Sequence, residues 1–235
     1  MNSDILPVKS SHPGESGNAM IYILIALALI AALTLALTRQ NEQSDALGIN
    51  DEKAAFFSTQ LISYATTAQD SINKMLMSGS QVTDLDYVLP SASSFNTAPN
   101  IYKVFHPQGG GLVYKEANPD IFTGSSSDPA PGWYIGRFNN VEWTPTTAND
   151  IILTAHQISK PVCENLNKKI TGSSTIPAIA GTGNLADYLI GDTNHSGSNA
   201  PFTVAVCSDC EGYSSLCVSN DSGDMWSYYV IIEGQ

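Results

Sequence analysis

Positive charge is scarce in this chain. Ten Lys and Arg face 22 Asp and Glu over 235 residues, a net charge of −12 with an isoelectric point near 4.4. A surface of that sign repels phosphate backbones, which excludes nucleic acid as a partner. Charged residues of both signs make up only 14%, and no cysteine occurs before Cys163. Catalytic signatures are missing too. There is no HExxH and no GxSxG, and Gly109-Gly110-Gly111 lacks the Lys and hydroxyl pair of a phosphate-binding loop, so it reads as a turn. His106, His156 and His195 are scattered, and Asp84 with Asp86 reads as a solvated loop edge. Gly181-Thr182-Gly183-Asn184-Leu185-Ala186 has the letters of a dinucleotide fingerprint. The short, Pro-bearing stretch before it is not the buried strand that fingerprint needs. The expectation is a chain that is not an enzyme and holds no cofactor or metal.

What is present begins with Ala19 to Leu37, AMIYILIALALIAALTLAL, which carries no charge, Gly or Pro. As a helix rising about 1.5 Å per residue it covers roughly 28 Å, close to the hydrocarbon thickness of a bilayer. A helix satisfies its own backbone polar groups, so one span suffices in lipid. A secretory signal would want a basic leader and a shorter apolar run, whereas Met1 to Asn18 carries one Lys against Asp4 and Glu15. Ala36-Leu37-Thr38 is nonetheless a passable small-x-small site, which keeps cleavage as the competing outcome. The residues predict a retained single-pass anchor in contact with membrane lipid.

The chain then divides into a leader at 1–17, a transmembrane helix at 18–40, an amphipathic helical stem at 41–79 and a β-rich domain at 80–235. Residues 39–235 keep nine basic and twenty acidic groups once Asp4, Lys9 and Glu15 are set aside. From Lys53 to about Met77, Phe57, Leu61, Tyr64, Ala65, Ala68, Ile72, Met75 and Leu76 recur at helical spacing. Tyr102 to Phe105 and Leu112 to Tyr114 predict a hairpin across the glycine turn. Gly132 to Phe138 predicts a strand paired with Asn140 to Trp143. Asp150 to Ile158 is a further strand or a helical lead-in, and periodicity does not decide between them. Ser159-Lys160-Pro161 opens a short helix over 160–170. Leu185 to Ile190 makes a helical turn, and Phe202 to Cys207, Ser215 to Val218 and Met225 to Ile232 are strands. Trp133, Trp143 and Trp226 fall at strand positions as core or sheet-face aromatics. The fold class is α+β, an apolar helix continuing into a stem and then an antiparallel sheet with a short helix.

All four cysteines, Cys163, Cys207, Cys210 and Cys217, follow the apolar run. An even count after a membrane span suits disulfides in an oxidising compartment. Cys207-Ser208-Asp209-Cys210 is a CxxC, but it leads into a turn rather than the helix of a redox unit. Three pairings are open, and Cys163–Cys207 with Cys210–Cys217 is favoured here, the first tying the short helix to the sheet and the second closing a small loop. The N-terminus is expected inside, and the C-terminal domain periplasmic or extracellular.

A hydrophilic leader ending in Gly17, a retained apolar helix, an amphipathic continuation and a cysteine-bearing sheet domain resemble a type IV pilin or pseudopilin. KVFHPQGGGLVY and SKPVCENLNKKI resemble stretches of pilin-like membrane proteins of alphaproteobacteria. The resemblance implies cleavage by a prepilin peptidase after Gly17, leaving Asn18 as the new N-terminus. It also implies other pilin-like subunits, or further copies of this chain, as partners, with helices packed through Ala26, Ala28, Ala31, Ala32 and Ala36. Where the family usually has Glu, five residues past the glycine, this chain has Tyr22. That substitution implies a minor or tip subunit more than a major one. The competing class is a single-span anchored domain that binds a partner without polymerising.

Overall fold

The computed structural model describes residues 21–32, 51–181 and 184–235. Residues 1–48 and 49–235 form two separate units. In the first, residues 21–32 are an α-helix (α1) with every residue exposed. Among the described residues no helix is long and apolar enough to cross a membrane. The span expected over 18–40 is therefore not shown, and its flanks at 18–20 and 33–40 lie outside the described residues.

The second unit starts with α2, Asp51–Met77. Asp51 and Glu52 lie in its first turn and Lys74 in its last, the signs that suit the helix dipole. Its buried positions, Ala54, Phe57, Ser58, Leu61, Tyr64, Ala65, Ala68, Ser71, Ile72 and Met75, repeat every three or four residues. That stripe packs on α3, Lys160–Thr171, and on the sheet. The helix thus belongs to the same compact unit as the sheet. α3 carries Pro in its first turn and stops at Gly172, whose φ of 82° is the left-handed cap that glycine adopts freely. Ser58 Oγ donates to Asn165 Oδ1 at 2.8 Å, and Lys169 Nζ reaches Ala55 O at 2.8 Å and Thr59 Oγ1 at 2.6 Å, fixing the crossing of the two helices.

Four strands follow: β1 Gly132–Asn139, β2 Asp150–His156, β3 Ser215–Ser219 and β4 Trp226–Glu233. They form one antiparallel sheet in the order β1-β2-β4-β3. Each strand alternates its side chains between two faces. Ile151, Leu153, Ala155, Tyr228, Val230 and Ile232 meet α2 and α3 in one core. Ile152, Leu216, Val218, Tyr229 and Ile231 meet α4 (Leu185–Leu189), Ile179 and Phe202 in a second. Phe202 is fully buried there, with its ring 5.4 Å from Tyr229 and 5.1 Å from Trp143. Trp133 joins the first core against Tyr64 at 4.6 Å, and Trp226 packs partly buried on the same core.

Two predicted pairings and one predicted strand are corrected. Residues 102–105 and 112–114 form no hairpin; the chain winds through tight turns, with Gly110 N donating to Lys103 O and Leu112 N to Val104 O at 3.0 Å each. A Cβ on Gly109 would stand 2.2 Å from Lys103 O, and one on Gly110 2.5 Å from Val104 O, so the glycines are needed for close approach. The winding is organised by Lys103, which is buried and donates to Ser94 O and Phe95 O at 2.8 Å, to Thr97 O, and to Asn100 Oδ1 at 3.0 Å. Second, β1 pairs with β2 and not with 140–143, because a bulge at Arg137/Asn139 turns the chain and Asp150 Oδ2 takes the Val141 N–H. Third, Phe202 to Cys207 forms no strand. Only Phe202 bridges, to Val141, and Val206 N and Cys207 N both return to Thr203 O as a turn.

Replacing Lys103 by Met leaves those carbonyl oxygens without a donor in a buried loop. We expect K103M to lower stability by about 3 kcal/mol in urea denaturation, against well under 1 kcal/mol for the exposed Lys74→Met.

Candidate functional site

Every predicted disulfide cysteine is paired, but not as favoured from sequence. Cys163 of α3 bonds Cys217 of β3, with Cα atoms 5.4 Å apart, and Cys207 bonds Cys210. Asn167 explains the first pairing. Fully buried one turn beyond Cys163, its side-chain amide donates to Cys217 O at 2.8 Å and accepts from Cys217 N at 2.8 Å. The amide imitates a neighbouring strand and holds Cys217 under α3. The CxxC closes on itself in a 3-10 turn, Ser208–Cys210, with both cysteines buried.

The remaining sequence-derived residues do not converge. Gly17, Asn18 and Ala36 lie outside the described residues, while Tyr22, Ala26, Ala28, Ala31 and Ala32 are exposed on α1. His106 is buried beside Phe95, with ring centroids 5.0 Å apart. His195 lies in the loop after α4, its Nδ1 taking the Gly197 N–H at 3.0 Å. Among the described residues no three His, Cys, Asp or Glu gather as a metal site. His156, fully buried on β2, has Nδ1 2.8 Å from Ser227 Oγ and no partner for Nε2. Burial first, and the neighbouring His195 second, push its imidazole down to about 4. Both members of this pair are fully buried.

An extended recess runs along β1. The opposite edge of the sheet is covered, since Ser219 N donates to Pro177 O and Ile179 N to Ser219 O. β1 has no such cover among the described residues. The hydrogen-bond phase follows from the far side: Ile231 N bonds Ser214 O and Asn220 N bonds Met225 O, so odd-numbered residues of β4 face β3. Tyr228 and Val230 then face Ala155 and Leu153, and Thr154 and Ile152 face Tyr134 and Gly136. The N–H and C=O groups of Trp133, Ile135 and Arg137 are left pointing outward, without a backbone partner among the described residues.

A groove of about 780 Å³ follows this edge. Tyr87, Phe105 and Tyr114 wall it on the α2 side, and Asp192, Asn194 and Asn199 on the α4 side. The second wall is pinned from both ends. Asn199 Nδ2 donates to Ile190 O at 2.7 Å, and Asp128 accepts both the backbone N–H (2.8 Å) and the hydroxyl of Ser196. Those bonds, the hydroxyl's first, hold the exposed Asp128 carboxyl below its ordinary value. Inside the groove the Tyr87 hydroxyl is buried without a hydrogen-bond partner. Burial raises its pKa well above the usual tyrosine value, against the pull of the nearby Arg137 charge. Arg137 donates through Nε to Asn149 O at 3.1 Å, and no carboxylate pairs with it among the described residues. These groups can bind and orient a ligand. Sequence reasoning missed this site. The signal was there in Arg137, the only arginine after Arg39 in an acidic chain.

No protein-family model, no curated protein and no solved structure matches this chain.

Two outcomes test this description. The loop closed by Cys163–Cys217 spans 54 residues of sequence and that of Cys207–Cys210 three. Loop-closure entropy then assigns about 4 kcal/mol to the first and about 2 kcal/mol to the second. Denaturation of the paired Cys→Ser variants should rank them in that order. For His156, the folded pKa lies below the unfolded 6.5, so the unfolded chain binds the extra proton first. Its contribution is full above about pH 6.5 and is lost as pH falls toward about 4, by about 2–3 kcal/mol. His156→Gln should flatten that part of the stability–pH curve.

Proposed function

We propose that the chain is a pilin-like structural subunit of an envelope filament or secretion pseudopilus, anchored by its apolar N-terminal helix in the inner membrane. What carries the reading is the order of parts: an uncharged apolar run of 19 residues, then a 27-residue helix whose buried stripe lies on an antiparallel sheet. In such a subunit the first helix binds lipid and neighbouring helices, and the second presents the sheet domain outside. Two disulfides, with all four cysteines consumed, suit an oxidising compartment on that outer side. Helix packing would run through Ala26, Ala28, Ala31, Ala32 and Ala36, and Tyr22 in place of the family's Glu favours a minor subunit. The competing reading, an anchored domain that binds a partner without polymerising, draws its support from the groove along β1.

N-terminal sequencing of the membrane-extracted protein separates them. A start at Asn18, after cleavage behind Gly17, is the expected result; an intact Met1 supports the anchored binding domain, and a start at Arg39 refutes both.

A further inference from the structure

We infer that the groove along β1 is a receptor for one extended polypeptide segment of another protein, which adds to the sheet as a fifth strand and sets a single carboxylate on Arg137. This holds whether or not the chain polymerises, because it rests on the sheet domain alone.

The first observation is the edge itself. Trp133, Ile135 and Arg137 offer three N–H and three C=O groups on one line, each a hydrogen-bond site that an incoming strand satisfies. Natural sheets blunt a free edge with Pro, a short strand or a covering loop. β1 is eight residues long, has no Pro, and is recessed between two walls where the other edge is closed.

The second observation is the shape of the recess. Walls rise on both faces of β1, Tyr87 and Tyr114 on one and Asp192 and Asn194 on the other. A single extended chain fits between such walls. The equivalent edge of a second copy, carrying its own walls, would meet them first, so a thin segment is the occupant that the shape admits.

The third observation is charge. In a chain of net charge −12, Arg137 has neither terminal guanidinium nitrogen engaged among the described residues, and only its Nε is used. A guanidinium presents a planar fork matched to a carboxylate. Trp133, Ile135 and Arg137 share one face of the strand, the face on which the unpartnered Tyr87 hydroxyl is buried. A carboxylate on that fork would also accept the hydroxyl, satisfying a buried donor otherwise left unpaired. The chain's net charge of −12 repels a polyacidic segment, so one Asp or Glu within an otherwise neutral strand is the chemistry selected.

The test uses the full-length protein in detergent micelles and a fluorescein-labelled, amidated hexapeptide of alternating Thr and Val with one central Glu. Saturable binding is expected, with new hydrogen-exchange protection at the amides of Trp133, Ile135 and Arg137. A peptide with Gln in place of Glu should bind about tenfold more weakly. R137Q should erase that difference while R137K retains part of it, and unchanged exchange at Thr154 and Tyr229 in both variants certifies the fold. The proposal is overturned by lack of saturable binding, by equal affinity for the Glu and Gln peptides, or by indifference to N-methylation of alternate peptide amides. Protection of the same three amides without peptide, growing with protein concentration, would assign the edge to a second copy and overturn it equally. N-terminal processing has no bearing on any of these readouts, so failure here leaves the filament reading standing.

Discussion

The structure depends on two central strands that are buried on both faces. All seven residues of β2 are buried, and β4 is buried over six of its eight. Because side chains alternate, neighbouring residues of one strand serve different cores, Ile151 and Leu153 on one side, Ile152 and Thr154 on the other. At about 25 cal/mol per Å² of apolar surface, neither face can be left to water, so each requires its own cover. The long stripe of α2 supplies one. The other is assembled from smaller pieces, α4, Phe202 and Ile179, which explains why the chain between α3 and β3 is so irregular and still buried.

Elements with one strong period were legible in the sequence. α2 and α3 follow their three- and four-residue spacing, and β4 follows its apolar run between turn clusters. The sheet pairings were less legible, because a strand's partner is fixed by topology and not by its own residues. β1 looks like the first arm of a hairpin until Asp150 takes the Val141 amide and carries the chain past the turn. The 102–114 stretch misled for a different reason. Its apolar residues alternate with a lysine that, once buried, gathers carbonyls from 94–97 and winds the segment into turns. A buried ammonium with only neutral partners leaves no trace in hydropathy.

The disulfides were legible as a set and not as pairs. Late placement and even number pointed to bonding, but Cys163 and Cys217 meet because Asn167 recognises the β3 backbone, a tertiary event. The groove was less legible still. An edge strand is defined by what fails to pair with it, and no residue announces that. The one trace in the sequence is Arg137 itself, the only arginine after Arg39 in an acidic chain.

The placement of the Cys163–Cys217 bond has a mechanical consequence. It welds α3 to β3, so the stretch from 163 to 217 cannot be extended by tension on the chain. α2 lies ahead of that weld and is held by packing and by a few polar clasps, Ser58 to Asn165 and Lys169 to Ala55 and Thr59. A tensile load entering at residue 51 is therefore borne first by a non-covalent seam, ahead of the part that the disulfide holds.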